Sequence, residues 1–209
     1  MAREIDMVRE IDGDVSAAAE GGQSLAPELE DYRRQFEAIK GDARELVAGL
    51  TDAQFNWRQE PGRWSIAECL AHLSVTGQAY LPALSRQIKA GREAGRLSRG
   101  PYRRGLLGRL FLRGMEPPAK LKFKAPKLFA PLPEHLLAVV VPAFMSLQDQ
   151  FVARMREADG VDIGRVKIAS PASRFIKISL GDAFALMAAH ERRHLWQARQ
   201  VRDDQNFPK

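Results

Sequence analysis

His190 and His194 stand four residues apart in His190-Glu191-Arg192-Arg193-His194. On a helix this spacing puts both imidazoles on one face, about 6 Å apart along the axis, where they can reach a single ion. Neutral imidazole suits Zn, Ni, Fe or Cu, and the residue types alone do not choose among them. The expected cofactor is a divalent metal ion, with zinc or nickel first. His72, on the inward side of another predicted helix, is the candidate third ligand. Three imidazoles from two helices leave one coordination position open. Catalytic metal sites have that arrangement, because water or substrate takes the vacant position. Glu191 is the candidate catalytic residue, placed to orient a ligand imidazole or to move a proton. The alternative for it is a helix-surface carboxylate paired with arginine.

The same five residues match the His-Glu-x-x-His signature of zinc proteases, with Glu191 as general base. Those enzymes take a third ligand after the motif. Here the 15 residues beyond His194 contain no histidine, and Asp203 and Asp204 are their only carboxylates. That reading is set aside. The fourth histidine, His135, is expected at the surface near a helix start, on the face opposite Phe144. Cys69, one turn before His72, is expected to be a buried thiol, with a fourth-ligand or reactive role as the alternative.

Four predicted helices must position these groups. In the first, Leu29, Tyr32, Phe36, Ile39, Ala43, Leu46 and Leu50 recur at threes and fours from Ala26 to about Leu50. Thr51 and Gln54 then form a capping box that opens a short turn. Ser65 and Glu68 form a second box, so the next helix starts with Ser65 as N-cap and carries Ile66, Cys69, Leu70, Leu73, Gly77, Tyr80 and Leu84 inward. Trp64, just before it, is expected to staple that start. The third runs from about Pro133 to Ala158, with Pro133 in its first turn. Pro82 and Pro142 are expected to bend their helices. Short alternating runs at 166–168 and 175–178 suggest a small hairpin around Pro171. Ser179 caps the fourth helix, whose stripe of Leu180, Ala183, Phe184, Met187, His194, Ala198 and Val201 holds the histidines inward. Arg192 and Arg193 fall on the other side, and Trp196 points outward, where the long connection or a second copy in a homodimer would cover it.

A chain of 209 residues, 45% hydrophobic, can bury a full core as one domain. The expected organisation is a flexible leader over 1–24 and one domain over 25–209. The single cysteine excludes an internal disulfide, and no apolar run is long enough to span a bilayer. With no signal-like apolar stretch among the first residues, a cytoplasmic location is expected. The net charge of +6 is local in origin. Between Arg86 and Lys127 there are 13 Lys/Arg against Glu93 and Glu116 alone, so the rest of the chain is net acidic. This basic stretch lies within a connection, 90–132, that is punctuated by Gly and Pro and is long for a compact domain. Within it, Tyr102 to Arg113 is predicted to form a short amphipathic helix.

Trp57-Arg58, then Pro61-Gly62-Arg63-Trp64-Ser65-Ile66-Ala67-Glu68-Cys69-Leu70-Ala71-His72, and far downstream His190-Glu191-Arg192-Arg193-His194, together resemble the DinB-like superfamily. The resemblance covers roughly 26–203. It implies an all-α fold, a four-helix bundle with a long crossover connection between the second and third helices. It also implies a divalent metal held by three histidines at positions 72, 190 and 194. Family members of known activity include thiol-dependent S-transferases and isomerases using bacillithiol, mycothiol or glutathione. The function expected is therefore a divalent-metal-dependent S-transferase or hydrolase acting on a small molecule, with a low-molecular-weight thiol as co-substrate. On that reading the basic 90–132 segment is a lid that draws an acidic substrate inward. The alternatives are a metal-binding bundle without catalysis, and a binding module whose basic segment contacts a membrane surface or nucleic acid.

Overall fold

The computed structural model describes residues 24–118 and 126–209. Residues 1–23 of the leader and the basic residues Lys120, Lys122 and Lys124 lie outside the described residues. The apolar stripes become four long helices: α1 (Pro27–Val47), α3 (Ile66–Glu93), α5 (Leu137–Ala158) and α6 (Leu180–Arg202). Short helices α2 (Asp52–Asn56) and α4 (Leu106–Met115) lie in the connections. A hairpin of β1 (Lys167–Ser170) and β2 (Ser173–Ser179) pairs antiparallel, with Ile168 opposite Ile178.

The helix starts follow the local chemistry. Both capping boxes form: Thr51 Oγ1 accepts from Gln54 N, and Ser65 Oγ accepts from Glu68 N at 3.1 Å. Gly49, just past α1, takes φ +74°, the left-handed conformation that glycine adopts without steric cost. Pro82 and Pro142 lie inside α3 and α5, which continue through them. The start of α5 differs from the sequence expectation. Pro133 is not in its first turn, because the four residues before Leu137 are tied to the α2 region instead. Arg58 donates to the Pro133 carbonyl, Asn56 pairs with both backbone groups of His135, and Asp52 Oδ1 accepts from Leu137 N at 2.7 Å. His135 thus precedes the helix and is half-buried rather than lying on the outward face of α5.

Cross-helix contacts give the chain direction of each element. Along α3 and α5, Gly77 meets Leu147 and Phe151, Ser85 meets Arg154, and Arg92 donates to Glu157 O, so the two run parallel. Along α1 and α6, Tyr32 lies beside Phe184, Gln35 accepts from Arg192, and the carbonyls of Glu45 and Leu46 accept from Arg202, so these two are also parallel. Phe36 lies tilted against Phe151 while Ala26 N donates to Asp159, which makes α1 and α5 antiparallel. Each long helix packs on two others, and α1 and α3 occupy opposite corners of the bundle. A parallel α3–α5 pair requires the chain to travel back the length of the bundle between them. That requirement accounts for the long connection.

The connection is pinned at several points. It starts only after Glu93, four residues beyond the expected boundary, because α3 continues to that residue. Leu97 bridges to Val161, α4 packs on α6, and Leu112 is buried beneath it. This cover corrects the expectation for Arg193. Although on the side of α6 away from the stripe, Arg193 is only 8% exposed, because α4 lies over it and Gly114 O is 3.5 Å from its guanidinium. Arg192 pairs with Glu116 at the end of α4.

At the other end of α4, Arg104 joins three elements. Its Nε donates to Asp182 at 2.7 Å and its second terminal nitrogen to the Tyr32 hydroxyl at 2.9 Å. Ser179 Oγ gives its proton to Asp182 at 2.6 Å, so the Tyr102 hydroxyl donates to Ser179. Burial opposes ionisation of Asp182, but the hydrogen bonds from Ser179 and Arg104 outweigh it and hold the carboxyl below its ordinary value. A depressed folded-state value contributes stability above the unfolded pKa, and that contribution fades as pH falls through the folded one. Asp182→Asn is therefore expected to be less stable than wild type at pH 7, with a smaller deficit at about pH 2, well below the ordinary carboxylate value. Urea unfolding at both pH values checks this. A deficit equal at both would show that the charge of Asp182 contributes nothing.

Candidate metal centre

Burial of Ile66, Leu70 and Leu73 rotates α3 so that His72 faces the interior, 3% exposed. On α6, burial of Met187, Ala188, Leu195 and Ala198 brings His190 and His194 to the facing side. The three rings meet at the α3–α6 contact, with centroids 4.7–5.0 Å apart. One ligand-competent nitrogen from each lies within 4.8 Å of the others, and this is the only such cluster of His, Cys, Asp and Glu among the described residues.

The tautomers follow from the hydrogen bonds. His72 Nδ1 is 2.7 Å from the carbonyl of Phe129, so Nδ1 carries the proton and Nε2 presents its lone pair inward. That Nε2 is 3.1 Å from His190 Nε2. Two nitrogens bound tetrahedrally to one ion at 2.0–2.1 Å would stand about 3.3 Å apart, close to this spacing. His194 Nδ1 is buried without a full hydrogen bond among the described residues, so the ring has lone-pair capacity to spare. Burial disfavours the charged form of all three rings, and positive neighbours add to this at His190 and His194. His72 is lowered, His190 falls to about 3, and His194 falls well below its ordinary value. The rings are therefore neutral at neutral pH, the form that ligates. The residues fit a divalent ion.

The surroundings support the rings. Trp64 lies nearly parallel to His194 at 5.4 Å and tilts against His72 at 4.8 Å. It thus walls two of the three imidazoles, beyond the helix-stapling role that its position before Ser65 suggests. The Ser65 cap that starts α3 is braced in turn. Burial opposes ionisation of Glu68, but paired hydrogen bonds from Arg58 and one from Ser65 N hold its carboxyl below the ordinary value. Sequence reasoning missed Phe129. A main-chain carbonyl acceptor leaves no side-chain signal, and 57 residues separate it from His72.

Glu191 is 1% exposed and faces Gln148 of α5, outside the histidine cluster. Burial raises its carboxyl to about 8, offset in part by Gln148 and Arg192. Glu191 Oε2 and both amide atoms of Gln148 are buried without a full hydrogen bond among the described residues. Cys69 is fully buried, its thiol pushed up by desolvation, and it does not join the cluster. His135 sits apart, beside Asn56. Two clefts open away from the histidines. One, of about 770 Å³, lies between α1, α4 and α6 and is flanked by Arg109 and Arg113; the other, of about 370 Å³, lies by Tyr102 and Lys167.

A family model described as the DinB superfamily matches residues 35–198, a span that includes all three histidines. No curated protein and no solved structure matches the chain. No helix among the described residues is long and apolar enough to cross a membrane.

Proposed function

We propose, for a chain that belongs to the DinB superfamily, a divalent-metal-dependent enzyme that activates a low-molecular-weight thiol, or water, against a small-molecule substrate. The observation that carries this is the set of three neutral imidazoles aimed at one point from two helices, with no fourth protein ligand among the described residues. A divalent ion held there would lower the pKa of a thiol or water at its open position toward neutrality. The chain's own groups supply the rest. His72, His190 and His194 hold the ion, and the Phe129 carbonyl keeps His72 in the ligating tautomer. Arg193 is buried beside the cluster and its charge acts on His190 and His194. That positive charge would favour an anion, such as a thiolate, as the group bound to the ion. Trp64 shields one side of the rings from water. Glu191, packed on α5, is a positioning residue that fixes the rotation of α6. Basic residues of the connection draw an acidic substrate, such as a carboxylate-bearing thiol.

The test is thiol consumption with a panel of low-molecular-weight thiols and small electrophiles, using protein reconstituted with zinc or nickel. Conjugation that needs the metal, and that His190→Ala abolishes, is expected. Full metal occupancy with no thiol-dependent or hydrolytic turnover would leave a metal-binding bundle without this chemistry.

A further inference from the structure

The feature that the metal centre leaves unexplained is the outer face of α4. Its inner side, Gly108, Leu112 and Met115, faces α6 at the usual three- and four-residue spacing. The opposite side should then be polar. Instead Leu106 is 79% exposed, Leu110 67% and Phe111 55%. At 100° per residue, these three share one arc of about 140° on the outer surface. Arg109 and Arg113 occupy the adjoining arc, and both are exposed. Neither forms an ion pair or hydrogen bond with a described residue, unlike Arg104 and Arg192, which are consumed by Asp182 and Glu116. Arg103, just before the helix, is likewise exposed and has no ion pair with a described residue.

We infer that α4 is a peripheral docking element for an anionic lipid surface, lying in the plane of the interface. Ten residues make a rod about 15 Å long, on which Leu106, Leu110 and Phe111 can enter the headgroup–acyl boundary. Arg103, Arg109 and Arg113 then meet lipid phosphates, with their stems along the apolar arc. Charge complementarity selects this occupant. In a two-fold pairing with a second copy, α4 would set the unpaired arginines of each chain near those of the other, a like-charge contact. A nucleic acid would satisfy the arginines but leave the leucines and Phe111 against phosphate or water. An anionic bilayer offers both phases side by side. The end of α4 is tied to Arg192 and Arg193, between the two histidines of α6, so this orientation holds the metal centre near the membrane surface.

Co-sedimentation of the full chain with vesicles tests this, comparing pure phosphatidylcholine with an equimolar mixture of phosphatidylcholine and phosphatidylglycerol. Binding is expected to the anionic vesicles at low salt and to weaken at about 1 M salt, where the screening length falls to about 3 Å. Arg109→Gln with Arg113→Gln is expected to weaken binding about 25-fold, at about fivefold per arginine. Leu110→Ser with Phe111→Ser is expected to weaken it at least tenfold. These are exposed positions, so circular dichroism should show both variants folded. Three results would overturn the inference. One is no binding to anionic vesicles at low salt. Another is binding lost only in the arginine variant, which is surface adsorption without insertion. The third is self-association by sedimentation velocity that the Leu110→Ser, Phe111→Ser variant abolishes, which would make α4 an interface between copies.

Discussion

His190→Ala is expected to lower divalent-metal affinity by more than about 100-fold, and His72→Ala to do the same. Loss of a group that merely orients a ligand costs about 10–100-fold, and removing a ligand itself removes more. Two imidazoles would remain in a site with no fourth ligand among the described residues to replace the third. Both variants should still fold. His190 is half-buried, and its truncation leaves the surrounding apolar stripe of α6 intact. Elemental analysis of protein purified without a histidine tag and reconstituted with zinc or nickel is the measurement. About one ion per chain in the wild type, and almost none in either variant, is expected from the three-ligand site. Equal metal content in all three proteins would sink the site, since adventitious binding elsewhere would then account for the metal.

The second large effect concerns the packing that holds the parallel pair together. Phe151→Ala is expected to destabilise the protein by about 3–5 kcal/mol, the range for truncating a fully buried phenylalanine. Its ring is 0% exposed and lies 4.8 Å from Phe36 of α1, and it also faces Gly77 of α3. It therefore fills space at the junction of three helices. Collapse around the lost ring is hindered on the α3 side, where α5 already approaches so closely that a Cβ on Gly77 would stand 2.5 Å from Leu147. Urea unfolding followed by circular dichroism would measure the loss. A cost below about 1 kcal/mol would mean that the ring is not enclosed in the folded protein.

How far these residues can be read without coordinates depends on the range of the interaction. The caps at Thr51 and Ser65 were legible because a capping box is made by residues three apart. The inward stripes of α1, α3 and α6 were legible because burial repeats with the helical period, and the hairpin around Pro171 because alternation has a period of two. The start of α5 was misplaced by four residues. Pro133 suits a helix start locally, but Arg58, Asn56 and Asp52, far away in the chain, hold that segment extended. Arg193 was placed on the side away from the stripe by the same local logic, and α4 covers that side. Periodicity shows which face of a helix turns toward its own core, not what a distant segment lays across the other face.

By itself the sequence determined the helices, their apolar faces and the two four-spaced histidines, because those depend on contacts within a few residues. It also marked His72 as inward on a second helix. Only the tertiary structure decided that α3 and α5 run parallel, that Trp64 lies against the rings, and that the Phe129 carbonyl sets the His72 tautomer. The reason is physical. Which helix meets which is decided by side-chain interlock such as Leu147 against Gly77, and a carbonyl 57 residues away becomes a neighbour only when the chain has returned along the bundle.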